Sequence, residues 1–183
     1  MEEWTLAIGD VIVGIDIGTS KVSLVIGEVN NFNQIELLST SSCKCNGIKK
    51  AKIIDEEEIV AAISKLIKEA EAENELTINS AYVTIPGKYV TIVQNSIIKE
   101  AKDKYAGISA KDVGVGLSQV KDIDVPEGKQ IIDIVTDEFI LDNGKSVQDP
   151  IGSLSSNFTL KAQVVLADKE YMRKISNIFR KVD

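Results

Sequence analysis

The apolar positions of the chain fall first into short runs rich in Val, Ile and Leu. They predict strands at 11 to 17, 21 to 29 and 34 to 43, separated by "GTS" and "NNFN", which together read as a β-meander. The spacing then becomes helical. Asp55 is placed as an N-cap with Glu58 three residues later as its box partner, followed by Ile59, Ile63, Leu66, Ile67 and Ala70 on one face. Glu56 and Glu57 occupy the first turn, where the helix dipole favours acids. "SAYVTIP", at 80 to 86, predicts a short fourth strand that ends at a proline. Three strands, a helix and a strand make half of a layered α/β domain.

After Pro86 the pattern changes. It predicts a long strand over 88–101, a helix capped by Ser109 with Val113, Leu117 and Val120 on one face, a strand over 128–143, and a turn-rich connector. Gly114 and Gly116 weaken that helix. From Thr159 the earlier style returns, with a strand to Asp168 and a final helix capped by Asp168. Its stripe is Tyr171, Met172, Ile175, Ile178, Phe179 and Val182. Lys169, Arg173, Lys174, Arg180 and Lys181 lie on its other face, a pattern also found in membrane-surface anchors. Because the helix follows a buried strand with almost no linker, it is expected to fold back onto the sheet. The expected organisation is therefore a discontinuous core, 1–86 and 159–183, with an insert at 87–158.

Composition narrows the class of partner. A chain of 183 residues with 44% hydrophobic and 27% charged residues can build its own core. The formal net charge of −7 argues against a general affinity for nucleic acid or anionic lipid, leaving proteins and small molecules. There is no histidine, and the cysteines are Cys43 and Cys45, one residue apart. That is too few ligands for structural zinc and poor geometry for a disulfide, so two reduced thiols are expected, as in a reducing cytoplasm. The start carries acids at Glu2 and Glu3 where a secretory signal would be basic, and no run is long enough to span a membrane.

The candidate chemistry lies in "VGIDIGTSKVSLVIGEV", 13 to 29. A tight turn between antiparallel strands presents backbone amides, and Gly18 lets that backbone approach a ligand. Thr19 and Ser20 add hydroxyls, Lys21 adds a positive charge, and Asp16 is placed to hold Mg²⁺ through water. Together these residues describe a phosphate-and-magnesium corner. Neither a Walker loop nor a Rossmann fingerprint is present, and a plain solvent-facing hairpin fits the same spacing.

The stretch resembles the first phosphate motif of the actin, heat-shock 70 and sugar-kinase superfamily. Its Ser-Lys ending, with "GIKKAKIID", "AYVTIPGKYV", "DIDVPEGKQIIDIVTDEFILDN" and "DPIG" in order, resembles the FtsA family of bacterial cell division proteins over nearly the whole chain. The resemblance implies an α/β fold: an actin-like half domain of ribonuclease-H type with an inserted α+β subdomain of βαββ type. It implies that the chain corresponds to the N-terminal part of such a protein, which binds ATP with Mg²⁺, polymerises, and tethers FtsZ filaments to the membrane at the septum. FtsZ contact and membrane attachment would belong to parts outside the chain, whereas self-association and contacts with other division proteins would belong to the insert. With half a nucleotide site the chain is expected to hold no ATP alone and to be no enzyme. A truncated sugar-kinase-type enzyme shares the "DIGTS" turn, and a stand-alone interaction module is the third reading; the insert motifs favour FtsA. Ala51 stands where the family often has glycine, and "DPIGSLSS" replaces "DPVGMSG", so the turn after Pro150 is expected to be built differently.

Overall fold

The computed structural model describes residues 6–103 and 105–182, so the acidic start at Glu2 and Glu3 lies outside the described residues. The chain forms two units, one running to Pro86 and resuming at Arg173, the other Gly87–Met172.

In the first unit, β1 (Val11–Ile17), β2 (Lys21–Val29) and β3 (Ile35–Lys44) form the expected meander. The short β4 (Ile48–Lys49) and β5 (Lys52–Ile53) then pair as a hairpin. α1 (Glu56–Asn74) follows, then β6 (Tyr82–Val83), which joins the edge of β1 in parallel to give the sheet order β3-β2-β1-β6. Alternation puts Val13, Ile15 and Ile17 of β1 and Val22, Leu24 and Ile26 of β2 in the core. α1 lies against β2 and β3 with Ile59, Ala62, Ile63, Leu66, Ile67 and Ala70 buried.

Two local expectations are corrected. Asp55 does cap α1, its carboxylate accepting the Glu58 amide at 3.0 Å, but Glu58 does not close a capping box. Its Oε1 accepts the Asn46 amide at 2.7 Å instead, while the Asp55 amide donates to the Gly47 carbonyl at 3.2 Å. The chain folds so tightly here that a Cβ on Gly47 would lie 2.5 Å from both the Asp55 carbonyl oxygen and Ile59 Cγ1. The strand expected over 80–86 pairs only at Tyr82–Val83, with one more ladder bond from the Thr84 amide to the Ile15 carbonyl at 3.1 Å. Beyond it Pro86 has no N–H to give, and the chain turns into a 3-10 segment at Gly87–Tyr89.

The second unit contains β7 (Val90–Glu100), α2 (Ala110–Val120), β8 (Lys129–Leu141), the short β9 (Ser146–Val147) and β10 (Asn157–Asp168). The sheet order is β7-β10-β8-β9. The boundary expected at 158 is therefore wrong: β10 does not return to the first unit. It is an inner strand of the second sheet, antiparallel to β7 on one side and to β8 on the other along nearly its whole length, and without it those two strands would have no common partner. α2 packs on one face, where Ile108, Val120, Phe139, Leu141, Phe158 and Leu160 form the core and the Phe139 and Phe158 rings meet edge to face at 5.8 Å. Gly116 faces the sheet, where a Cβ would lie 3.5 Å from the Phe158 ring. Ser109 caps α2 as expected, and Asp112 completes a capping box with it.

The last helix, α3 (Lys169–Arg180), begins in the second unit and ends in the first. Asp168 caps it by accepting the Tyr171 amide at 2.8 Å. Tyr171, Ile175 and Ile178 of its stripe are buried. Among the described residues no helix is long and apolar enough to cross a membrane.

Candidate functional site

The site is built at one end of the first sheet, where parallel β1 and β6 both finish. In open α/β sheets this carboxyl end is where ligands collect. Because Ile15 and Ile17 point into the core, Asp16 between them is turned to the opposite, exposed face. The chain then reverses. The Gly18 amide donates to the Lys21 carbonyl at 2.9 Å, which leaves Thr19 and Ser20 at the tip of the hairpin. The Ser20 carbonyl accepts the Cys45 amide at 3.1 Å and ties that tip to the end of β3.

This geometry modifies the sequence reading. The Gly18 N–H is spent inside the turn, so a phosphate would meet the amides and hydroxyls of Thr19 and Ser20. Gly18 contributes by what it lacks: a Cβ there would lie 3.0 Å from the Lys21 carbonyl oxygen and 3.6 Å from Asp16 Oδ2. Its absence keeps the space beside that carboxylate oxygen open.

Asp16 and Lys21 line one cleft of about 490 Å³ on the exposed face of the sheet, with Ser23, Ser42, Tyr82 and Thr84. Gly18, Thr19 and Ser20 do not line it. Asp16, Ser23 and Ser42 stand in register across β1, β2 and β3. Lys21 is exposed and makes no ion pair among the described residues. Among the described residues the Asp16 carboxylate has one hydrogen-bond partner, the Thr84 hydroxyl, which donates to Oδ1 at 2.6 Å. Ser23 was legible in principle, since alternation and a two-residue turn put it opposite Asp16. Thr84 was not, because only the tertiary fold brings residue 84 to residue 16.

Among the described residues, no three His, Cys, Asp or Glu side chains gather as a metal site. Asp16 is thus a single carboxylate beside hydroxyls and an amine. That donor set fits a magnesium ion that arrives with phosphate oxygens and keeps most of its waters, and does not fit a free metal ion. Cys43 and Cys45 are free thiols that do not line this cleft. Cys43 donates to the Ala62 carbonyl at 3.6 Å, and burial pushes the Cys45 thiol up, away from the reactive thiolate.

Comparison with known proteins gives a consistent picture. Residues 87–166 match the family described as the SHS2 domain inserted in FtsA. This span takes in β7 through most of β10, in keeping with the corrected boundary. A cell division protein FtsA of Pseudomonas aeruginosa is 27% identical over 173 residues, covering 94% of this chain and 41% of the relative. One from Borreliella burgdorferi is 30% identical over 142 residues, covering 78% of this chain and 34% of the relative. The chain thus spans about two fifths of the length of the first of these relatives. Among solved structures, a PilM-PilN type IV pilus biogenesis complex aligns with a TM-score of 0.54 at 15% identity, over 93% of this chain and 44% of the other, a likeness of fold alone.

Proposed function

From the match of residues 87–166 to the SHS2 domain inserted in FtsA and the likeness of the chain to FtsA cell division proteins, we infer that the chain is FtsA-like with an actin-like α/β fold, that residues 16–21 are the phosphate side of a nucleotide site and that the insert is a protein-contact surface. The observation that carries the first part is the meeting of Asp16 and Lys21 in one cleft at the carboxyl ends of β1 and β6, the two being joined through the Thr19–Ser20 tip of the hairpin.

In this reading Lys21 neutralises phosphate charge, Thr19 and Ser20 donate hydrogen bonds to phosphate oxygens, and Asp16 accepts from water on Mg²⁺. When bound, Mg²⁺·ATP would supply the phosphate and metal charge that these residues meet. The adenosine side would come from a second domain of the intact protein, as the family resemblance implies. Residues 1–183 alone then orient only one end of the nucleotide, and one end is too little for tight binding or for hydrolysis. The proposed role of the whole protein is to bind ATP, assemble with copies of itself through the insert, recruit other division proteins, and tether FtsZ filaments at the cytoplasmic face of the membrane at the septum. The FtsZ and membrane contacts belong to parts outside this chain. The SHS2 match favours this reading over a sugar-kinase-type enzyme sharing the turn.

Calorimetric titration of the chain with Mg²⁺ and ATP tests the half-site argument. The expected result is no binding tighter than the millimolar range. Micromolar affinity would mean that residues 1–183 hold the nucleotide from both ends.

A further inference from the structure

Resting on that reading of the corner, we propose that Thr84 is a positioning residue: it holds Asp16 Oδ1 so that Oδ2 alone is presented to a phosphate-bound cation. The Asp16 side chain lies on the exposed face of a strand end, where packing does not select its rotamer. The Thr84 hydroxyl reaches it at 2.6 Å, the length of a charge-assisted O–H to carboxylate bond. Thr84 is itself held at its backbone, since its amide donates to the Ile15 carbonyl at 3.1 Å, and its branched Cβ restricts its own rotation. Both ends of the contact are therefore tied to the same pair of parallel strands. The other oxygen, Oδ2, lies 3.6 Å from the point where a side chain on Gly18 would begin. One oxygen is fixed by Thr84, just after β6, and the second faces the space that Gly18 leaves empty.

The consequence is specific to the hydroxyl. Thr84→Val keeps the shape and removes the donor; Thr84→Ser keeps the donor. Thr84 is exposed, so neither change touches the core. Two NMR readouts are taken on the full chain. The first is the set of three-bond couplings that report the Asp16 χ1 angle without ligand. They should show a single rotamer in the wild type and in Thr84→Ser, and averaging in Thr84→Val. The second is paramagnetic broadening of the amides of residues 16–21 by Mn²⁺·ATP at millimolar concentration, with Asp16→Asn as the reference for loss. Thr84→Val should need about tenfold more Mn²⁺·ATP for the same broadening, the loss of one hydrogen bond to a charged group, and Thr84→Ser should restore it. Unchanged Asp16 couplings or unchanged broadening in Thr84→Val, with the wild type broadened at 16–21, would overturn the positioning role alone. Absence of broadening at 16–21 in the wild type would overturn the phosphate-corner reading, and the positioning role with it.

Discussion

At the scale of single residues, the most informative positions are those where the backbone leaves the ordinary regions. Lys50 and Ala51 form the tip of the β4–β5 hairpin with φ of 50° and 57°, the left-handed conformation that a two-residue hairpin of the primed type requires. An L-residue with a Cβ pays a steric cost there of about 1 kcal/mol. This accounts for the glycine that the resembled family often carries at the position of Ala51. Ala51→Gly should raise the stability to urea by about 0.5 kcal/mol, the steric relief being partly offset by a freer unfolded chain. A loss of stability in urea denaturation would show that the side chain contributes packing that outweighs its strain. Thr84 belongs to this scale too: its role rests on one hydroxyl.

At the scale of elements, α2 is a weak helix made firm at its start. Its sequence contains Gly114 and Gly116, yet Ser109 and Asp112 bond to each other reciprocally. The Asp112 carboxylate is 5% exposed and accepts the Ser109 hydroxyl at 2.6 Å, the Ser109 amide at 3.0 Å and the Lys102 amide at 3.3 Å. The Ser109 hydroxyl above all, then the Ser109 amide, holds the carboxyl below its ordinary range. With the folded-state value depressed, the ionised group adds stability above the ordinary carboxylate pKa of about 4. That contribution is lost as pH falls through the folded-state value. Asp112→Asn should cost about 1 kcal/mol at neutral pH, and its deficit against the wild type should shrink as the pH is lowered. Urea denaturation at a series of pH values measures the gap; a constant gap down to about pH 3 would contradict the assignment.

At the scale of the whole molecule, β7 is the edge strand of the second sheet, with Ile92 and Ile98 57% and 73% exposed. A long edge with apolar side chains is a pairing surface unless it is covered. Sedimentation over a rising concentration series should show weak reversible dimers that Ile98→Lys abolishes without lowering the melting temperature. A strictly monomeric profile up to millimolar chain would remove self-association from the proposed role of the insert. At this scale the limits of the sequence are also plain. Alternation and capping chemistry are local, because a strand shows its faces every second residue and an N-cap shows itself within four. The sequence alone therefore determined the meander, α1 with Asp55, α2 with Ser109, α3 with Asp168, and the turn from Asp16 to Lys21. What only the tertiary structure decided depends on distant partners. β10 looks like any buried strand until its pairing with β7 and β8 assigns it to the second sheet. Glu58 looks like a box partner until the Asn46 amide claims it. Thr84 is an ordinary strand residue until the parallel pairing of β1 and β6 sets its hydroxyl against Asp16, because a hydrogen bond needs two groups in one place and only the folded sheet brings these two together.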